Sequence, residues 1–255
     1  MQFDNIIQPL LLSILAGSAT GIGGLIVLFL GKIEDRFLGF LMGFAGGVML
    51  CVSFLELFTE AVDISGMAWS VVFFAIGASI MMALDFLMPH IEFGVWEDGI
   101  ENKQMLNSGL IVALGMSLHN LPEGLVVSAG FVHTPSLGIF VALMIALHNI
   151  PEGIATVTPL IAAGMNRWRA VTIATLSGLM EPIGALLGLI ILLYAGGGAV
   201  VSGFGLAFAA GVMTNVTIDE LIPVAHSLCK PIHKHYVSGG VLIGILFAQI
   251  LRLVF

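Results

Sequence analysis

Two short segments of this chain concentrate the residue types that bind metal ions or move protons. They read His119-Asn120-Leu121-Pro122-Glu123-Gly124 and His148-Asn149-Ile150-Pro151-Glu152-Gly153. In a helix, His119 and Glu123 share one face, as do His148 and Glu152, because residues four apart lie above one another. Asn120 and Asn149 stand ~100° further round, where they can serve a neighbouring position. Imidazole nitrogen with carboxylate oxygen is a ligand set suited to zinc and acceptable to iron, manganese, cobalt or cadmium. Pro122 and Pro151 have no N–H, which deprives the carbonyls of Leu118 and Leu147 of helical partners. In apolar surroundings such carbonyls are tolerable only where protein, water or an ion satisfies them. A kink is therefore expected just before each glutamate, with Gly124 and Gly153 letting the backbone loosen further. The bland alternative is a kinked helix whose His and Glu bond only each other; two copies at matched depth weigh against it.

The elements that carry these segments follow from composition. Of 255 residues, 58% are hydrophobic and only 9% charged, against about a quarter charged in a soluble domain; mean hydropathy is +1.10. The chain reads as an all-α polytopic membrane protein in a single unit, 1–255. Eight apolar spans, roughly 6–30, 37–59, 66–88, 108–131, 136–160, 168–195, 199–225 and 236–254, each approach the ~20 residues needed to cross ~30 Å of hydrocarbon. The longest loop, 89–107, is polar and acidic. His119 and His148 fall about half way along spans four and five, ~16–18 Å from each helix start, which is near the bilayer midplane. Consecutive spans are antiparallel, so the two segments are related by an axis in the membrane plane, as in transporters built on inverted repeats.

Orientation follows from the basic residues. Lys32, Arg36, Lys103, Arg167, Arg169, Lys230 and Lys234 all fall on one side, and only Arg252 falls on the other. The positive-inside rule puts the first group in the cytoplasm and both termini outside, in a cell (plasma or inner) membrane. The lipid bilayer is thus one partner. The start, Met1-Gln2-Phe3-Asp4-Asn5, lacks a positive n-region, so the first span is expected to be retained. Gly17 and Gly21 on span one, and Gly39, Gly43 and Gly47 on span two, are spaced for close helix approach, either inside the bundle or at a homodimer face.

Further ionisable residues join the same layer. Glu181, followed by Pro182 in span six, repeats the carboxylate-plus-kink arrangement, and a buried carboxylate needs a cation or proton. Met49, half way along span two, can offer a thioether, although one of 13 methionines reads more readily as core filler. Glu56, Glu60 and Asp63 lie toward the outer end, where acidic groups would concentrate cations. Asp219, Glu220 and His226 lie toward the inner end as candidates for an exit path, with Asp85 near the inner interface as either a structural residue or part of that exit; His233 and His235 read as loop histidines. A formal charge of −8 with no basic patch excludes nucleic acid as a partner, and Cys51 and Cys229 form no disulfide framework. A membrane-embedded metalloenzyme is the alternative class, but the His-Glu-x-x-His pattern is absent, as is a phosphate-binding loop for direct ATP coupling. The chain is not expected to be an enzyme and implies no cofactor; a divalent metal ion is its expected substrate.

The doubled segment, Ser177-Gly178-Leu179-Met180-Glu181-Pro182-Ile183-Gly184-Ala185, Gly46-Gly47-Val48-Met49-Leu50 and Asp219-Glu220-Leu221-Ile222-Pro223 together resemble the ZIP (Zrt/Irt-like) metal transporters, most closely their prokaryotic short-loop group. The resemblance covers nearly the whole chain from span two onward. It implies spans one to three and six to eight as an inverted repeat flanking spans four and five, with uptake of zinc or related divalent ions into the cytoplasm. It also implies one metal position made by Met49, His119, His148 and Glu152, and an adjacent one made by Asn120, Glu123, Asn149, Glu152 and Glu181. Glu56 matches an entrance position. Two features depart from the family pattern: loop 89–107 lacks a histidine-rich run, and Asn149 stands where some members have aspartate.

Overall fold

Long apolar runs become helices here because a backbone in hydrocarbon must satisfy its own polar groups. The computed structural model describes residues 4–31, 33–87, 102–196, 198–229 and 233–254. Among them the order is α1 (Asp4–Leu30), α2 (Asp35–Ser65), α3 (Met67–Leu87), α4 (Asn102–His133), α5 (Pro135–Ala162), α6 (Arg167–Tyr194), α7 (Ala199–Ser227) and α8 (Lys234–Arg252). All but α4 are long and apolar enough, by length and composition, to cross a membrane, and α4 carries the first of the two polar segments. No strand occurs among the described residues. Each helix end lies within six residues of the corresponding expected apolar span, the largest differences being at Ser65 and Asn102. Lys32, Lys230 and most of loop 89–107 lie outside the described residues.

Local chemistry sets the boundaries. Thr134 caps α5, its side chain accepting from the Leu137 N–H at 3.3 Å, and Pro135 opens the first turn. A single residue therefore separates α4 from α5, which forces the two helices to lie antiparallel with the polar segments side by side. Asn166 caps α6 by accepting from the N–H groups of Trp168 and Arg169. Gly66, at φ 82°, turns the chain from α2 into α3 in a conformation that side chains disfavour.

The packing follows an inverted repeat. α1 packs on α5 as α6 packs on α4, α2 on α8 as α7 on α3, and α2 on α5 as α7 on α4. Exchanging α1 with α6, α2 with α7, α3 with α8 and α4 with α5 leaves that pattern unchanged. Glycine contacts fix the register. Gly153 lies against the Thr20 carbonyl as Gly124 lies against that of Glu181, and Gly23 meets Ile150 as Gly184 meets Leu121. On the other helices Gly47 meets Val241 as Gly211 meets Phe74, and Gly77 meets Phe208 as Gly244 meets Phe44. Carried along the chain, the same register makes Met49 equivalent to Met213, Glu56 to Glu220 and Asp85 to Arg252.

The small-residue stripes are used inside the bundle. Gly17 and Gly178 abut each other's carbonyls, Gly21 meets Thr175, and Gly39, Gly43 and Gly47 meet Cys229, Val237 and Val241. Apolar side chains of α3 and α8 face outward instead, Trp69, Ile76, Ile80 and Phe86 on one and Leu242, Leu246 and Ile250 on the other. Such a contiguous apolar belt suits lipid rather than water.

The helices run unbroken through Pro122 and Pro151, because a proline removes one donor and the neighbouring turns hold. The breaks sit elsewhere. α2 passes through a π-helical segment at Val52–Phe58, α7 through one at Thr217–Leu221, and α6 is interrupted at Leu179 between Arg167–Gly178 and Met180–Tyr194. The two π segments occupy equivalent places in the repeat and carry Glu56 and Glu220. The break in α6 leaves Glu181 in the first turn of the second half, where a carboxylate is favoured by the exposed backbone N–H groups.

Candidate metal centre

The antiparallel pairing of α4 and α5 brings the doubled segment together. His119, Glu123, His148 and Glu152 are all at most 2% exposed, and Asn120, Asn149 and Glu181 are fully buried beside them. Among the described residues, one group of three metal-ligating side chains converges: Glu123, His148 and Glu152 each place a donor atom within 4.8 Å of the others. Nε2 of His148 lies 3.0 Å from Oε1 of Glu123, an interaction between α5 and α4.

The His119 imidazole has a supporting contact. Nδ1–H of His119 donates to the Gly115 carbonyl one turn back at 2.8 Å, which fixes the ring and leaves Nε2 as the nitrogen able to take a metal. That Nε2 points toward α7, where Oε1 of Glu220 lies 3.0 Å away. Glu220 was legible only as a residue of the inner pathway; the fold sets it directly against a candidate ligand.

Glu181 and Asn149 form a second cluster. The Asn149 amide donates both to Oε1 of Glu181 on α6 and to the Ala16 carbonyl on α1 at 3.0 Å. The α1 contribution carries no chemical signal in sequence, because a backbone carbonyl is present at every residue; only the Gly17–Gly178 approach that exposes it could have pointed there. The site therefore draws on α1 and α7 besides α4, α5 and α6. Met49 is buried on α2, a helix packed against α5. Asp85 is half-buried near the end of α3, Asp219 is exposed, and Glu56 is 8% exposed on α2.

What the cluster can do chemically follows from what its atoms lack. Both oxygens of Glu152, Oε2 of Glu123 and of Glu181, Oδ1 of Asn149 and both amide atoms of Asn120 are buried without a hydrogen-bond partner among the described residues. Native interiors leave few such groups, and an unpaired buried carboxylate is costly by several kcal/mol. Carboxylate oxygens and the His148 imidazole converging in this way could hold a divalent cation.

The Asn149 amide makes a separate prediction. Asn149→Asp removes both donations and sets a second carboxylate against Glu181, so the metal-free protein should lose about 1–3 kcal/mol of stability. The added charge should also enlarge the rise in unfolding temperature that zinc produces. Thermal unfolding of the purified protein in chelator and in zinc checks both; equal zinc-induced shifts in the two proteins would refute a ligand role at this position.

Comparison with known proteins bears on the same site. A family model described as ZIP zinc transporter matches residues 97–252. A protein of Chlorobaculum parvum named zinc transporter ZupT is 37% identical over 273 aligned residues, covering 99% of this chain and 99% of its own length. Proteins of the same name from Corynebacterium efficiens and Clostridium perfringens are 38% and 32% identical, with 89% and 99% of this chain covered and 90% and 97% of their own lengths.

Proposed function

Since the chain belongs to the ZIP zinc transporter family, we propose that it carries divalent metal ions, zinc first among them, across the cell membrane through the buried cluster on α4, α5 and α6. It is a transporter, not an enzyme, and the metal is its substrate. The observation that carries this reading is Glu152, whose two oxygens are fully buried and unpartnered between Glu123 and His148. A structural role would pair that carboxylate; a transit site leaves it waiting for a cation.

Within the cluster, Met49, His119, His148 and Glu152 form one metal position, and Asn120, Glu123, Asn149, Glu152 and Glu181 form the adjacent one. Glu152 bridges the two. Lipid covers the apolar faces of α3 and α8. Both termini lie outside and the basic loops inside, so ions arrive past Glu56 and leave past Glu220, Asp219 and Asp85. The inverted pairing of helices supports this route, since it places the cluster between two equivalent halves.

Purified protein in sealed proteoliposomes tests the reading directly. Radiolabelled zinc should accumulate well above protein-free vesicles, with cobalt, manganese, iron and cadmium competing to differing degrees. Failure of all five ions to enter vesicles containing folded protein would overturn it.

A further inference from the structure

We propose that Arg252 is a tethered cation that occupies Glu56 when the terminal side of the protein is closed, and that an arriving divalent ion must displace it. This rests on the transport reading above. Arg252 is the one basic residue that charge distribution leaves on the side of the termini, where the positive-inside bias gives it no purpose.

The fold supplies one. Nε of Arg252, at the end of α8, lies 2.7 Å from Oε2 of Glu56 on α2, the arginine 35% and the glutamate 8% exposed. The guanidinium also sits 5.5 Å over the ring of Phe140, a fully buried residue of α5. One side chain thus joins α8, α2 and α5 at the terminal side of the cluster. One turn earlier on α8, Gln249 donates to Cys51 Sγ on α2 at 3.1 Å, which holds the helix end in register. A second contact joins helices on the same side: Nε2 of His133, ending α4, lies 2.6 Å from Oε1 of Glu60 on α2.

The repeat reveals what is specific to this end. Glu56 and Glu220 are equivalent residues on equivalent π segments. Glu220 faces His119, a candidate metal ligand; Glu56 faces a fixed cation. The residue equivalent to Arg252 on α3 is Asp85, of opposite charge. A built-in cation therefore guards one mouth, and the equivalent position toward the other holds an aspartate. Because the guanidinium carries a single charge, a divalent ion competes for the carboxylate far better than a monovalent ion does. Arg252 acts through Glu56, as a positioning residue that sets the metal concentration at which the mouth opens.

Zinc uptake by proteoliposomes, measured as KM and maximal rate, tests this with Arg252→Gln, Arg252→Lys, Glu56→Gln and the double variant Glu56→Gln/Arg252→Gln. Arg252→Gln should lower KM about fivefold while the maximal rate stays near that of the unaltered protein. Arg252→Lys should restore the higher KM. In the Glu56→Gln background the Arg252→Gln change should leave KM where it is, because the partner is already neutral. An unchanged KM in Arg252→Gln, the same fall in the Glu56→Gln background, or a loss of maximal rate and thermal stability without a KM change would each overturn the proposal. A readout independent of transport accompanies it: labelling of Arg252 by an arginine-specific dicarbonyl reagent should rise on adding zinc. Absence of that rise overturns the proposal even if no protein transports, whereas absence of uptake in every protein overturns the transport reading itself.

Discussion

Glu152→Gln should reduce zinc uptake to the level of empty vesicles while leaving the metal-free protein as stable as before or more so. The two halves of this expectation have one cause. Both Glu152 oxygens are buried without partners, so in the absence of metal the carboxylate is a liability: desolvated, and close to Glu123 and His148. Glutamine has the same shape and carries no charge, so the metal-free protein no longer has to hold a carboxylate away from water. With metal present the sign reverses. The bridging ligand loses its charge and half its oxygens, and an amide N–H₂ points where a cation should sit. Even outer-shell changes reduce metal affinity 10–100-fold, so loss of this inner ligand should reduce it by at least about 100-fold. Uptake assays paired with thermal unfolding in chelator check both signs. Uptake at the unaltered level would remove Glu152 from the path, and a fall in both uptake and chelator stability would assign it a structural task instead.

Much of this site was legible because its chemistry violates its surroundings. Histidine and glutamate inside apolar runs are expensive enough to be noticed, and the repetition of His119–Gly124 at His148–Gly153 fixed which helices face each other. Glu181 could be assigned by the same reasoning. Span limits were legible because hydropathy and length are coupled by the thickness of the bilayer.

What could not be read was tertiary partnership. Nothing in the residues around Glu220 says that its carboxylate reaches His119 rather than water; that depends on how α7 crosses α4 and on the π segment that turns Thr217–Leu221. π segments have no hydropathy signature, since they change the rotation of a helix and not its composition. The same limit applied to Ala16, whose carbonyl serves Asn149, and to Arg252, whose partner on α2 is almost two hundred residues distant in the chain. Pro122 and Pro151 advertise disruption, yet their helices continue, and the interruption that matters for Glu181 falls at Leu179, beside Gly178.

That contrast directs attention from the prolines to the glycines that follow them. Gly124→Ala should destabilise the protein by about 1–3 kcal/mol and cut uptake on the order of 10- to 100-fold. A methyl group on Gly124 would collide with the Glu181 carbonyl and press on the Ala185 N–H at 2.7 Å, both of them backbone and neither able to swing aside. α4 and α6 would have to separate, and with them Glu123 and Glu181, two of the residues proposed for the second metal position. Gly153→Ala should act alike, since its methyl group meets the Thr20 carbonyl and would part α5 from α1, where Ala16 receives the Asn149 amide. Gly130→Ala, on the same helix as Gly124, is the control. Its methyl group would find Gly138 at 3.5 Å, an ordinary contact, and alanine gains about 0.5–1 kcal/mol over glycine within a helix. Unfolding temperatures and zinc uptake of the three variants separate packing from propensity. Should Gly124→Ala prove as stable and as active as Gly130→Ala, the approach of α4 to α6 would not be what holds the metal site together.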